Sequence, residues 1–181
     1  YAEKLRACHV IVDQAERERI IRDGAAALAS GAGLQLVEDE GLVVENAGPT
    51  EWPVALVGRF DPDFLDVPRE VIVLTMRTNQ RYFACTDAAG MLAPAFVCVA
   101  NIDATDGGEA IVEGNRRVLD GRLAAARFFW EQDLKVPLEE RLPELERSIF
   151  FEGLGTYREK AERMAELAAH IAKNYMTGVD P

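Results

Sequence analysis

Two β-rich segments joined by four turn residues constrain the fold of this chain more than any other feature. Residues 82–86 read YFACT, residues 87–90 read DAAG, and residues 91–102 read MLAPAFVCVANI. The turn ends in glycine, which supplies the backbone freedom that a tight connection needs. We therefore predict a β-hairpin, which forms part of a small antiparallel sheet.

The segment before the hairpin predicts two helices and one further strand. Residues 13–29 keep a helical apolar period, with Asp13 placed to cap and Glu16 three residues on, and the glycines of SGAG at 30–33 end this helix. Residues 35–47 are weakly helical up to Gly48-Pro49. Residues 52–60, WPVALVGRF, are β-rich and short, so we predict a strand, followed by a loop at 61–68.

The stretch from Pro68 to Asn79 carries two conflicting signals. Proline followed by an acidic residue is typical of a helix start, whereas the β-branched run at 71–73 favours a strand. We predict a helix to about Asn79 that leads into the first strand of the hairpin.

The C-terminal half is predicted to be helical. Apolar residues recur at helical spacing over 109–134, a second helix is predicted over 136–150, and a third runs from Tyr157 to about Lys173 with Thr156 as its cap. The expected fold class is α+β, a small antiparallel sheet with surrounding helices followed by a helical C-terminal part. We expect an α+β domain at 1–135 and a helical segment at 136–181.

Composition indicates a soluble globular chain. Its 181 residues are 49% hydrophobic and 28% charged, and no apolar run approaches the ~20 residues needed to cross a bilayer. The formal net charge of -11 opposes binding of the whole chain to phosphates. Cys85 and Cys98 lie in apolar surroundings and are predicted to be buried thiols, as expected in a reducing cytoplasm. The first residues lack an initiator Met and a signal peptide, so we expect a fragment of a longer chain.

Catalytic and metal-binding motifs are missing from the sequence. His9 and His170 have no neighbour at metal-ligand spacing, and there is no CxxC, HExxH or GxSxG. The glycine pairs at 31–33 and 153–155 lack the lysine of a phosphate loop. The sequence therefore predicts no catalytic residue, no metal site and no cofactor in this chain.

A series of short polar and aromatic motifs runs through the chain in a fixed order. They are EWPVALVGRFDPDFLDVPREV from residue 51, MRTNQRYF from 76, VANID from 99, EGNRRVL from 113, RLAAARFFWEQDLKVPLEERLPEL from 122, and F-x-x-LGT from 151 with Lys160 and Arg163. Together they resemble the beta subunit of the bacterial heterotetrameric glycyl-tRNA synthetase.

The resemblance implies a function that composition does not reveal. In that family, two alpha and two beta subunits together attach glycine to its tRNA, and the alpha subunit uses ATP and Mg²⁺ to activate glycine. The expected partners are the alpha subunit and the glycine tRNA, with no membrane. The chain would be an interior, non-catalytic piece of a cytoplasmic glycine–tRNA ligase, ending where a helical HD-like domain begins.

Three departures from the family pattern limit the transfer of individual residues. Gly48-Pro49-Thr50 replaces an apolar pair before EWP, and the second departure is the segment DGRLAAA, in which Asp120-Gly121 precedes Arg122 and Ala125 stands at a usual aspartate. The LGT motif also follows Glu152-Gly153 where a glutamine is usual. Contacts that depend on residues 120 and 125 are therefore not carried over.

Six polar residues are candidates for binding RNA or a partner subunit. They are Arg77, Gln80, Arg81, Asn115, Arg116 and Arg122. Arginine forks match phosphate groups well, but the alternative is that these side chains bind carbonyl and carboxylate groups of the same chain. Phe128, Phe129 and Trp130 could stack on bases, although core packing of at least two of them is expected.

The sequence is compatible with two functions. The first is support of tRNA binding and of assembly with the catalytic alpha subunit. The second is a pure protein-interaction domain that does not contact RNA, which the net charge of -11 favours.

Overall fold

The computed structural model describes residues 1–176 and Gly178. The chain divides into two compact units between Trp130 and Glu131. The sequence predicts a domain boundary between residues 135 and 136. That boundary stays a prediction.

A four-stranded antiparallel sheet forms the centre of the first unit. Its strands are β1 (Gln35–Leu36), β2 (Val54–Arg59), β3 (Phe83–Thr86) and β4 (Leu92–Ala100), in the spatial order β1-β3-β4-β2. β3 and β4 are the predicted hairpin, with Phe83 opposite Val97 and Ala84 opposite Phe96. β2 pairs with β4 over its whole length, from Val54 opposite Ala100 to Arg59 opposite Ala95.

Helices cover both faces of this sheet. They are α2 (Gln14–Gly31), α3 (Glu40–Ala47), α4 (Arg69–Thr75) and α5 (Glu109–Asp133), while the short helix α1 (Ala2–Ala7) precedes them and has no buried residue. Side chains alternate along a strand, so Phe83 and Cys85 pack with α2 and α3, whereas Tyr82 and Ala84 pack with α4 and α5. The unit therefore has three layers and two apolar cores, one on each side of the sheet.

The helix starts follow the local signals in the sequence. The Asp13 carboxylate caps α2 by accepting from the Glu16 amide at 3.1 Å, as predicted. α5 is continuous through Gly114 and Gly121, although glycine weakens a helix interior. The buried side chains Leu119 and Leu123 hold this helix against the sheet.

The segment after Pro68 is helical, as predicted, but it changes its pitch. α4 continues into a π-helical turn at Met76–Gln80, and Arg81 then adopts a left-handed conformation with φ 57°. The Tyr82 amide donates to the Met76 carbonyl at 3.1 Å and closes this wide turn. The turn delivers the chain directly into β3.

The second unit contains a 3₁₀ helix at Leu138–Arg147 and a small hairpin. Strands β5 (Ile149–Phe151) and β6 (Gly155–Thr156) pair antiparallel, and α6 (Tyr157–Tyr175) follows. Thr156 and Glu159 form a reciprocal capping box at the start of α6, as the sequence predicted. Ala172 is the buried hydrophobic residue in the described part of this unit.

The structure confirms the α+β class and corrects three local predictions. Residues 61–68, expected to be a loop, contain a 3₁₀ helix at Pro62–Asp66. The helix expected over 136–150 is a 3₁₀ helix that ends at Arg147, because Pro143 prevents a continuous α-helical ladder. Residues 149–151 form a strand instead. Residues 35–36, expected to be weakly helical, form the strand β1, and the helix begins only at Glu40.

Candidate partner and nucleic-acid interface

The π-helical turn places Arg77 and Arg81 opposite two carboxylates of the α3 region. Arg77 Nε donates to Asp39 Oδ2 at 2.6 Å, and Arg81 Nε donates to Glu45 Oε1 at 2.9 Å. We call these four residues the junction cluster. Two positive and two negative charges cancel within it, so it presents no net positive charge to a phosphate.

Asp39 serves two structural roles in the junction cluster. Its Oδ1 atom accepts from the Leu42 amide at 2.8 Å and caps α3, while Oδ2 accepts from Arg77. The hydrogen bond from Arg77 lowers the pKa of the Asp39 carboxyl, against the opposing effect of desolvation, and the Leu42 amide adds to the lowering. The carboxylate is therefore held in its charged form.

A buried asparagine ties the same two segments together. Asn46 Nδ2 donates to the Leu42 carbonyl at 2.9 Å and to the Arg81 carbonyl at 3.2 Å. Arg81 is thus fixed through its backbone as well as its side chain. Gln80 lies half-buried at the end of the π-helical turn.

The other three candidates lie on α5 and have different surroundings. Asn115 points toward the sheet, where its Nδ2 contacts Cys98 Sγ at 3.5 Å. Arg116 bridges Glu113 and Asp120, with its closest nitrogen–oxygen distances at 2.8 and 2.7 Å. Arg122 is exposed and makes no ion pair within the described residues.

The charged side of α5 is an internally neutral network. Glu113 accepts from both Arg116 and Arg117, and these hydrogen bonds lower the pKa of Glu113 to about 2. With Asp120 included, two arginines face two acids. Arg117, whose side chain is 74% exposed, is the member of the network most accessible to an external anion.

Burial also determines the chemistry of the two internal thiols. Cys85 and Cys98 are buried and not disulfide-bonded, as predicted. Desolvation raises the pKa of each to about 11. Both are therefore neutral at physiological pH and unsuited to act as nucleophiles.

The aromatic end of α5 differs from the prediction. Phe128 is 54% exposed and Phe129 is 64% exposed, and only Trp130 of the three packs against the core. The expectation that at least two would be core residues is wrong, because helical spacing alone does not say which arc of a helix faces the sheet. Val118 is also half exposed on this helix.

The structure thus separates the six candidates into two groups. Arg77, Gln80 and Arg81 lie at the α4–β3 junction, and Asn115, Arg116 and Arg122 lie on α5. No hydrogen bond or ion pair joins the two groups within residues 1–176. Binding of RNA or a partner by these residues stays a prediction.

The part of the chain that the structure describes has neither a cluster of metal-binding side chains nor a membrane-spanning helix. There, no three side chains of His, Cys, Asp and Glu are arranged to hold a metal ion. Across the same residues, every helix is too short or too polar to cross a membrane.

Comparison with known proteins identifies the family. The sequence model described as "Glycyl-tRNA synthetase beta subunit" matches residues 1–180. The chain belongs to the glycyl-tRNA synthetase beta subunit family. The fold and both candidate groups described above are therefore features of a member of this family.

Curated relatives named "Glycine--tRNA ligase beta subunit" match almost the whole chain. The chain is 53% identical over 173 residues to the protein of Rhodospirillum centenum, covering 96% of this chain and 24% of that protein. It is 49% identical to the protein of Phenylobacterium zucineum, with 95% and 26% covered. It is 44% identical to that of Dichelobacter nodosus, with 99% and 26% covered. The chain thus spans about a quarter of the length of these relatives.

Proposed function

We propose that this chain is a non-catalytic segment of a glycine–tRNA ligase beta subunit. It supports assembly with the alpha subunit and placement of glycine tRNA during ATP-dependent attachment of glycine. In this proposal the alpha subunit uses ATP and Mg²⁺, two alpha and two beta subunits act together, and the complex works in the cytoplasm. Membership of the family supports the reaction, and the surface of α5 supports the role.

The observation that carries the assembly role is the contrast between the polar and apolar sides of α5. Arg116 and Arg117 are paired with acids of the same helix, while Val118, Phe128 and Phe129 are exposed. Contiguous exposed apolar side chains mark contacts with other proteins, and the rings of Phe128 and Phe129 lie in contact, with their centroids 5.5 Å apart. The helix therefore offers more to a protein partner than to a phosphate backbone.

Contact with tRNA rests on fewer groups. Arg122 is an exposed cation without an acidic partner in the described residues. Arg117 is highly exposed, and exposed ion pairs contribute only ~0–1 kcal/mol, so a phosphate could replace its carboxylate partner. Arg77 and Arg81 are paired with acids inside the junction cluster, so we expect them to contribute less to tRNA binding.

The test is reconstitution of the full-length beta subunit with the alpha subunit, followed by measurement of glycine attachment to tRNA. We expect a large gain over the alpha subunit alone, and the absence of any gain would contradict the proposal. The double variant Phe128→Ser with Phe129→Ser should weaken subunit association. The matched control is Leu74→Ser, since Leu74 is 63% exposed outside α5 and its loss should leave association unchanged.

The second candidate function is a protein-interaction segment that never contacts RNA. It is favoured by the net charge of -11 and by the neutral junction cluster. Binding of tRNA to the alpha–beta complex, measured against salt, separates the two functions. Each phosphate contact adds ~0.7–0.9 to the slope of log K against log salt. If Arg117 and Arg122 meet phosphates, Arg117→Gln with Arg122→Gln lowers that slope, whereas an unchanged slope favours the second function.

A further inference from the structure

Strand β2 lies at the edge of the main sheet and has only one strand neighbour. In the order β1-β3-β4-β2, its partner is β4, and no strand of the described chain lies on its other side. The opposite edge strand, β1, contains only two residues, whereas β2 contains six. A six-residue open edge is long enough to pair with another strand.

The hydrogen-bond register shows which backbone groups of β2 face outward. The Phe60 amide donates to the Pro94 carbonyl at 3.1 Å, and this pair continues the register in which Gly58 faces Phe96. Because hydrogen-bonded positions alternate in an antiparallel pair, the even-numbered residues of β2 direct their backbone groups to β4. The amides and carbonyls of Ala55, Val57 and Arg59 therefore point away from the sheet.

These outward groups have no partner in the described part of the chain. No backbone hydrogen bond from another segment reaches Ala55, Val57 or Arg59 among residues 1–176. The edge lies in a groove and not on an open surface, because a helix covers each face of β2. A Cβ placed on Gly24 of α2 would lie 3.5 Å from Cβ of Ala55. On the other face, a Cβ placed on Gly108 would lie 2.6 Å from Leu56 Cδ2.

The groove between these helices has the size and lining of a peptide site. Its volume is about 580 Å³, and its lining includes Leu28 of α2, Val112 of α5 and the acidic residues Glu109 and Glu113. Apolar walls on both sides of a row of free amides and carbonyls suit an extended strand, whose alternate side chains point to opposite walls. Glu109 has no ion pair in the described residues, so a basic side chain of the incoming strand would complement it.

We propose that β2 is completed by an additional strand, with apolar side chains and one basic residue, from another part of the same polypeptide. The chain spans 24% of the Rhodospirillum centenum relative, so a protein of that length would have about three quarters of its residues elsewhere. A strand tethered in the same polypeptide has a high effective concentration and needs few contacts to remain bound. The added strand would extend the sheet from four strands to five.

The experiment is hydrogen exchange at single-amide resolution in the full-length beta subunit without the alpha subunit. We expect the amides of Ala55, Val57 and Arg59 to exchange within about tenfold of the rates of Leu56 and Gly58, which the β4 pairing protects. Val112→Asp places a carboxylate in the groove and should accelerate exchange at the three outward amides only. The control Ala124→Asp adds the same charge at an exposed position of α5 outside the groove. It should leave the exchange rates of all five amides unchanged.

Four results would overturn the inference. Rapid exchange of the outward amides in the full-length beta subunit means that the edge is open. Protection that appears only with the alpha subunit, or only at high beta-subunit concentration, assigns the strand to a different chain. Protection that survives Val112→Asp indicates burial without strand addition in the groove. The edge site is independent of the assembly role proposed above, since the expected protection is measured in the beta subunit without the alpha subunit and without aminoacylation.

Discussion

Arg77 and Asp39, 38 residues apart in sequence, share a 2.6 Å hydrogen bond in which the acceptor is also the N-cap of α3. The two roles of Asp39 can be separated by substitution. Asp39→Asn keeps a capping oxygen and loses the ion pair, whereas Asp39→Ala loses both. We expect Asp39→Ala to reduce the free energy of unfolding by ~1 kcal/mol more than Asp39→Asn does, which is the usual worth of a cap. Urea denaturation measures this difference, and equal losses would show that the cap contributes nothing.

A charge exchange at the junction cluster distinguishes structure from binding. Arg77→Asp combined with Asp39→Arg restores an ion pair in the opposite orientation. If Arg77 is structural, the double variant should lose less stability than the two single variants lose together, because Asp39→Arg alone already removes the cap of α3, and glycine attachment by the alpha–beta complex should recover with it. If Arg77 binds RNA, stability recovers but tRNA affinity does not.

The lowered pKa of Glu113 gives a pH dependence with a definite sign. A carboxyl whose pKa falls on folding stabilises the folded state above its unfolded pKa and loses this effect as the pH drops through the folded value. For Glu113 the window runs from 4.5 down to about 2. Acid titration of stability should therefore show a smaller loss over this window in Glu113→Gln than in the unsubstituted chain. An equal loss of stability in both proteins over this pH window would mean that the hydrogen bonds from Arg116 and Arg117 do not persist in solution.

Two glycines should respond oppositely to alanine. A Cβ on Gly58 would lie 2.4 Å from Cζ of Phe96, a ring that is fully buried, so Gly58→Ala should destabilise the chain by ~1–3 kcal/mol through overpacking. Gly121 has no neighbour within 4 Å of such an atom and lies inside α5. Gly121→Ala should stabilise by ~0.5–1 kcal/mol, because alanine is the better helix former. Thermal denaturation of both variants checks the two signs together.

The three cysteines should differ sharply in reactivity. Cys8 is exposed, whereas Cys85 and Cys98 are buried and have pKa values raised to about 11 by desolvation. Under native conditions at pH 8, iodoacetamide should modify Cys8 first, and mass spectrometry of the digested chain identifies the site. Denaturant should make all three react. Early modification of Cys85 or Cys98 would indicate that the sheet opens locally.

Local signals in the sequence were sufficient for much of the fold. The hairpin, the cap of α2 by Asp13 and the capping box of Thr156 and Glu159 each depend on residues within a few positions of one another. The helix expected over 136–150 was wrong because an apolar period does not distinguish an α-helix from a 3₁₀ helix broken by Pro143. The resemblance to the family was confirmed by the comparisons, since it drew on ordered motifs along the chain and not on any single element.

The candidate site was less accessible to sequence reasoning. Acidic partners were expected for the arginines, but Asp39 and Glu45 could not be assigned to Arg77 and Arg81 because these pairs join distant segments. The exposure of Phe129 depends on which arc of α5 the sheet covers, and that is a tertiary property. The free edge of β2 depends on the order of the strands, for which the sequence carried no signal.

The number of residues in the π-helical turn at Met76–Gln80 determines which face of the sheet each side chain of β3 enters. The turn accommodates the chain between α4 and β3 so that Phe83 enters one core and Tyr82 the other. Removing one residue from the turn would shift β3 by one position and exchange the faces of Tyr82, Phe83 and Ala84. Substitutions at the exposed positions Thr78 and Asn79 should therefore be tolerated in evolution far more readily than insertions or deletions in this turn.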